Sequence, residues 1–247
     1  MNSAIKAVIL AAGKGKRLQS EDSDAPKVMR LACGKPLLEH VLNALPSIPK
    51  EDIIIVVGYK SEQVIEHFGD DYIYAFQTEQ LGTGHAVMSA ADELDGFEGS
   101  VLICYGDMPA IRRETYEAFI KAHFSQGNDC TFLTGESSIP LAYGRILRDE
   151  NGEFVKIVED KDCTPKQLEI KELNPGVYIF RAPELLKALK QVKNNNAQGE
   201  YYLTDVPEIM INNGSKVGLF KYDLNDEILG VNTLDDLKTI EEILEKR

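Results

Sequence analysis

Along the first half of the chain, short apolar runs alternate with stretches of helical spacing. Ile5 to Ala11, Ile53 to Val57, Tyr72 to Phe76 and Val101 to Tyr105 are strand-like, while segments near Pro36 to Leu45, Ser61 to Phe68 and Gly84 to Leu94 carry a helical period. This rhythm predicts βαβ units around a mainly parallel sheet. Beyond about Asp129 the runs shorten to Cys130 to Thr134, Gly144 to Arg148, Phe154 to Val158 and Val177 to Phe180, with Glu150-Asn151-Gly152 as a turn between two of them. That region is expected to be a β-rich elaboration of the same sheet. Helices return at Pro183 to Lys190 and Asp205 to Ile211, a strand at Lys216 to Tyr222, and a last helix from Thr233. Thr233 and Asp236 have the spacing of a capping box, in which hydroxyl and carboxylate satisfy orphan helix amides.

With 247 residues and 43% hydrophobic content, the chain is sized for a single α/β domain over residues 1–247. The apolar run Ala7 to Ala12 is too short to span a membrane and lacks signal-peptide flanks, so a cytoplasmic protein with no membrane partner is expected. Cys33, Cys104, Cys130 and Cys163 show no C-x-x-C spacing, which favours reduced thiols over disulfides or a zinc site. A formal charge of −13 opposes binding to nucleic-acid backbones. A small anion remains possible where cations are concentrated locally.

Such a concentration follows the first strand. Leu10-Ala11-Ala12-Gly13-Lys14-Gly15-Lys16-Arg17 places two glycines and three cations where a parallel strand ends, the edge at which α/β sheets bind ligands. Backbone amides can approach an anion closely there. A P-loop and a dinucleotide fingerprint are both excluded, because Leu18 stands where each motif needs its last glycine. What remains is a glycine loop with Lys14, Lys16 and Arg17, followed by Pro26-Lys27. It reads either as a polyphosphate site or as a solvated turn.

L-A-A-G-K-G-K-R with a downstream P-K resembles the signature of the sugar-phosphate nucleotidyltransferases. Further stretches narrow the resemblance: Gln77 to Ala86, Tyr105-Gly106-Asp107, Tyr143-Gly144-Arg145-Ile146, Ile157-Val158-Glu159, Asn195 to Asp205 and Gly230-Val231-Asn232. From about Ile5 to Leu244 the chain is similar to the uridyltransferase domain of the bacterial N-acetylglucosamine-1-phosphate uridyltransferases, usually the first half of a bifunctional enzyme. The bifunctional enzymes continue into a left-handed β-helix of hexapeptide repeats. No such repeats occur before Arg247, so neither acetyl transfer nor β-helix trimer formation is expected.

The resemblance implies a Rossmann-like nucleotide-diphospho-sugar transferase fold. Its nucleotide-binding part would cover about 1–110 and its sugar-binding part about 111–247. It also implies transfer of UMP from UTP to N-acetylglucosamine 1-phosphate, giving a cell-wall precursor and pyrophosphate. Leu10, Ala11, Ala12, Gly13, Gln77, Gly82 and Thr83 would bind the nucleotide, with the Gln77 amide matching a donor and an acceptor on uracil. Tyr105, Gly144, Glu159 and Asn174 would face the sugar. Asp107 and Asn232 would hold Mg²⁺, which takes one or two protein oxygens and completes its shell with phosphate and water. Arg17 and Lys27 would be the catalytic cations, Arg17 at the leaving pyrophosphate and Lys27 between the α-phosphate and the sugar phosphate.

Two positions depart from the family. Asn174-Pro175-Gly176 replaces a common Asn-Thr-Gly, removing a hydroxyl and a backbone donor on the sugar side. Lys16 stands where threonine or serine is usual, and either adds to pyrophosphate binding or faces solvent. Two other readings stay open: a nucleotidyltransferase for another sugar phosphate or base, and a non-catalytic nucleotide-sugar-binding module.

Overall fold

The structure is a computed structural model that describes residues 4–15, 18, 25–46, 48–137 and 139–247. Strands β1 (Ile5–Leu10), β4 (Ile53–Val57), β5 (Ile73–Phe76) and β6 (Ser100–Tyr105) form a parallel block in the order β5-β4-β1-β6. Between them in the chain lie the two-residue strands β2 (Leu31–Ala32) and β3 (Lys35–Pro36), helices α1 (Leu37–Ala44) and α2 (Ser61–Phe68), and the short helices α3 (Thr83–Met88) and α4 (Ala91–Leu94). After α5 (Arg113–Gln126) come β7 (Cys130–Glu136), β8 (Gly144–Arg148), β9 (Phe154–Val158), β10 (Glu172–Asn174) and β11 (Tyr178–Arg181). They extend the sheet as β6-β11-β7-β10-β8-β9, with every contact antiparallel. Helices α6 (Ala182–Leu189) and α7 (Val206–Asn212) precede β12 (Val217–Lys221), which pairs parallel to β7, and α8 (Leu234–Leu244) follows.

The parallel strands are buried on both faces, which is why they read as continuous apolar runs rather than alternating ones. Alternate residues divide between two cores. Val8, Ile54, Val56, Val101 and Ile103 pack with residues of α3, α6 and α7 such as Val87, Leu185 and Met210. Ala7, Ile9, Ile53, Ile55 and Leu102 pack with Leu38 and Val41 of α1, Val64 of α2 and Phe119 of α5. Each fully buried aliphatic side chain of this kind contributes about 1.5–3 kcal/mol of transfer free energy. A third, smaller cluster joins Leu18, Ala32, Leu37, Ala110, Val231 and Ile240, docking α8 beneath the glycine loop. Among the described residues no helix is long and apolar enough to cross a membrane. All four cysteines are unpaired.

The expected strands and helices are present, with ends moved by a residue or so. The Thr233 capping box forms: the Asp236 amide donates to Thr233 Oγ1 at 3.1 Å, and Asp236 Oδ2 accepts from the Thr233 amide at 2.8 Å. Three features differ. The stretch expected as one helix from Gly84 to Leu94 breaks at Ser89-Ala90 into α3 and α4. β10 is only three residues long and gives no periodic signal. Helix α5 escapes the apolar pattern because its buried stripe is Thr115, Tyr116, Phe119 and His123, half of it polar. The structure tolerates His123 there because its ring nitrogens face Thr131 Oγ1 at 2.9 Å and Ser100 Oγ at 3.2 Å, and burial lowers its pKa to about 4.

Candidate active site

Register brings the predicted nucleotide residues to one edge. Leu10 pairs with Val56 and Tyr105, and Val57 with Phe76, so the loops after all four parallel strands open on the same side. The strand ends are stitched by the Gly106 amide donating to Leu10 O at 3.0 Å and the Gln77 amide to Val57 O at 2.8 Å. Between them lies a cleft of about 250 Å³ lined by Leu10, Ala12, Gly13, Lys27, Gln77, Gly82, Thr83, Tyr105 and Asp107. Ala11 is buried behind this wall, its amide donating to Val56 O at 2.9 Å.

Close backbone packing explains two glycines here. Gly82 has φ +108°, and a Cβ on it would lie 2.6 Å from Tyr201 O and 2.8 Å from Glu200 Cβ. Gly15 has φ +64°, and a Cβ there would lie 2.8 Å from the Cβ of Lys27. The glycine loop therefore sits directly on the stem of Lys27. Leu18, where both better-known glycine motifs need glycine, ties the loop to the body through a side chain fully buried against α8, and its amide donates back to Gly15 O at 2.8 Å. Lys14 turns to Tyr59, its ammonium 5.5 Å from the ring centroid. Lys16 and the predicted catalytic Arg17 lie outside the described residues.

Gln77 lines the cleft but is 4% exposed, and its Nε2 donates to Gly82 O at 3.1 Å and lies 3.2 Å from His85 Nδ1. Its amide nitrogen thus braces the Gly82 turn from within the cleft wall. Thr83 Oγ1 accepts from the Leu203 amide at 3.0 Å.

Asp107, Asn232 and Lys27 converge from three separate segments. The Val231 amide donates to Asp107 O at 3.0 Å, which sets Asn232 beside Asp107, and the Asn232 amide donates to Asp236 Oδ2 at 2.8 Å. Lys27 Nζ donates to Asp107 Oδ2 and, at 2.9 Å, to Asn232 Oδ1. A carboxylate and an amide oxygen already grasping a cation are a donor set suited to a hard divalent ion. At an effective dielectric near 20, unit charges about 4 Å apart attract by about 4 kcal/mol before desolvation is counted. Tyr143 supports the arrangement: its hydroxyl donates to Ile228 O at 2.8 Å and accepts from the Gly230 amide at 2.9 Å.

The predicted sugar residues assemble next to Tyr105. Gly144 is the sheet partner of Asn174, and a Cβ on Gly144 would lie 2.6 Å from Ile157. Asn174 is buried, and its polar atoms bond within the protein: Nδ2 donates to the Tyr178 hydroxyl at 2.6 Å, and Oδ1 accepts from the Gly176 amide at 3.2 Å. The second bond is an Asx turn that leaves the nitrogen of Pro175 without a required role, so proline fits. A Cβ on Gly176, which has φ +84°, would fall 1.9 Å from Tyr105 Cε2; the turn is a platform for that ring. Glu159 accepts from Thr204 Oγ1 at 2.9 Å, and burial together with Asp205, Asp162 and Glu200 raises its pKa despite that bond. Burial and the Glu159 charge likewise push the Tyr105 hydroxyl well above its ordinary value.

Val28, Gln80, Ala86 and Glu200 also line the cleft and were not assigned roles from sequence. Gln80 and Glu200 fall inside stretches the resemblance had marked, which was the available signal. Thr204 lies in the Asn195 to Asp205 stretch, whose sequence gives no sign of its bond to Glu159. Only the fold shows that Asn195 to Asp205 spans from Gly82 and Gly84 to Glu159, through the Gly84 amide donating to Tyr201 O at 2.7 Å and the Thr204 bond.

A glycine-loop cleft at the carboxyl edge of a parallel block, lined by a cation and a carboxylate that meet an amide side chain, is the architecture of a nucleotide-handling transferase. The chain belongs to the nucleotidyl transferase family, whose family model matches residues 6–246. It is 45% identical over 240 residues to the bifunctional protein GlmU of Caldanaerobacter subterraneus subsp. tengcongensis, covering 97% of this chain and 51% of that protein. The bifunctional GlmU proteins of Lactobacillus johnsonii and Streptococcus thermophilus are 47% and 46% identical, with 51% and 52% of their lengths covered. The chain thus spans about half the length of the curated relatives it matches, and its resemblance to the uridyltransferase part of the bifunctional enzymes stands. A solved Bacillus anthracis structure, described as a glucose-1-phosphate thymidylyltransferase in complex with sucrose, shares the fold with a TM-score of 0.77. The two are 19% identical, over 99% of this chain and 96% of that one.

Proposed function

We propose that the protein transfers UMP from UTP to N-acetylglucosamine 1-phosphate, releasing pyrophosphate, by in-line attack of the sugar phosphate on the α-phosphorus. The observation that carries this reading is that Lys27 and Asp107 line a cleft together with Gln77, Gly82 and Thr83, with Lys27 also bonded to Asn232. The nucleophile is already an anion, so no general base is required. The protein's task is to align two mutually repelling anions and to compensate charge at the five-coordinate phosphorus.

In this reading Asp107 and Asn232 hold Mg²⁺, which when bound offsets phosphate charge. Lys27 bridges the α-phosphate and the incoming sugar phosphate, and Arg17 faces the leaving pyrophosphate. Gln77 and the backbone at Ala11, Ala12 and Gly82 recognise uracil. Tyr105, held on the Gly176 platform, and Glu159, steadied by Thr204, face the sugar, and Asn174 and Gly144 shape the wall behind them. The nucleotide-binding part occupies about residues 1–110 and the sugar-binding part about 111–247 of a single domain.

The test is pyrophosphate release by the purified protein with UTP, Mg²⁺ and, separately, the 1-phosphates of N-acetylglucosamine, N-acetylgalactosamine, glucosamine and glucose. The expected result is fastest turnover with N-acetylglucosamine 1-phosphate. A faster rate with another sugar would reassign the acceptor. Tight UTP binding with no turnover on any of them would replace the enzyme with a binding module.

A further inference from the structure

Lys27 is bonded where the family reading puts a divalent cation. Its ammonium donates to Asp107 Oδ2 and to Asn232 Oδ1, and its side chain is 14% exposed. The two acceptors are anchored. Asp107 is fixed through its carbonyl to the Val231 amide, and Asn232 through its amide to Asp236 at the cap of α8. Lys27 is the adjustable member. It begins the short 3-10 turn Lys27–Met29, and its four-carbon stem passes along Gly15, where the absence of a side chain leaves it room. Lys27 also lines the cleft with Leu10, Gly13 and Thr83.

We propose that Lys27 is the resident counter-ion of the Asp107 and Asn232 oxygens in the nucleotide-free protein, and that it competes with the divalent cation for them. The inference rests on the reading that this pair takes such a cation. One ammonium and one divalent ion cannot share two oxygens without strong repulsion, so occupation by one requires withdrawal of the other. The lysine stays protonated throughout and only changes partners. A triphosphate over the glycine loop supplies the anionic oxygens to which it moves. Affinity for the free cation is therefore held down until nucleotide arrives, and metal and triphosphate enter as a set.

The test is Mn²⁺ binding to nucleotide-free protein, read by the free-ion electron paramagnetic resonance signal, for the parent, Lys27→Met, Asp107→Asn and the double variant. A competing state that holds about nine-tenths of the molecules lowers apparent affinity about tenfold, so Lys27→Met is expected to bind Mn²⁺ about tenfold more tightly than the parent. The added Asp107→Asn change should abolish that gain. Thermal unfolding gives a second readout, with Mn²⁺ raising Tm more in folded Lys27→Met than in the parent. Equal or weaker Mn²⁺ binding by Lys27→Met overturns the competition. If Asp107→Asn has meanwhile lost pyrophosphate release, the metal pair itself survives that result. A gain in affinity that persists in the double variant places the ion elsewhere and also overturns the competition.

Discussion

The sides of the site proposed for nucleotide and for sugar are built by different means. On the nucleotide side, four parallel strands end together and the wall is largely backbone: Ala12, Gly13 and Gly82, with Gln77 bracing the turn. On the sugar side, side chains on or beside short antiparallel strands are mostly committed to one another, Asn174 to Tyr178 and Gly176, Glu159 to Thr204. A backbone wall tolerates side-chain change but no added bulk. A wall of mutually satisfied polar groups is sensitive to loss of any member, because each leaves a buried partner unpaired.

The sharpest way to break this contrast is at Gly82. Alanine there meets the backbone of Tyr201 at a φ that disfavours side chains, and neither can yield cheaply. Gly82→Ala is expected to lower kcat/KM for UTP by about 100-fold, equivalent to about 2.7 kcal/mol. Initial rates at varied UTP check this, and a loss under about threefold would contradict a backbone-built nucleotide wall. Next in size is Gly176→Ala, whose Cβ displaces the Tyr105 ring, a side chain able to move. The expected effect is about a tenfold rise in KM for the sugar phosphate, with KM for UTP nearly unchanged. Equal changes in both would mean that the walls are not separable.

The smallest expected effect concerns charge behind the sugar wall. Burial, with Glu208 and Asp162 nearby, raises the pKa of Asp205 to about 6 from 3.8. An acid whose folded pKa is raised stabilises the protein below its unfolded pKa, and that contribution is lost as pH climbs through the folded value. Asp205→Asn should therefore match the parent near pH 4 and exceed it near pH 7.5, by on the order of 1 kcal/mol once screening of this partly exposed group is discounted. Denaturant unfolding at the two pH values measures it. A parent more stable than the variant at pH 7.5 would contradict the assigned cause.

The same contrast accounts for what could be read before the fold was known. The parallel block was legible because strands buried on both faces write themselves as unbroken apolar runs, and a glycine loop after the first of them points to the ligand edge. Helix α5 was not legible, because Thr115 and His123 occupy buried positions through bonds to Glu227, Thr131 and Ser100 that lie far away in the chain or across the sheet. At the site, Lys27, Asp107 and Asn232 could be named from motifs, but the lysine's grip on the other two could not, since it joins residues 205 positions apart. Asn174 was expected to face the sugar, whereas its polar atoms hold the Gly176 turn, a role that depends on the proximity of Tyr178.

The central claim is that Asp107, with Asn232 and Lys27, forms the reaction centre. Its most direct measurement is pyrophosphate release by Asp107→Ala with UTP, Mg²⁺ and N-acetylglucosamine 1-phosphate. The expected result is a loss of about 100-fold or more in turnover with the fold retained. Turnover within a few-fold of the parent would contradict it.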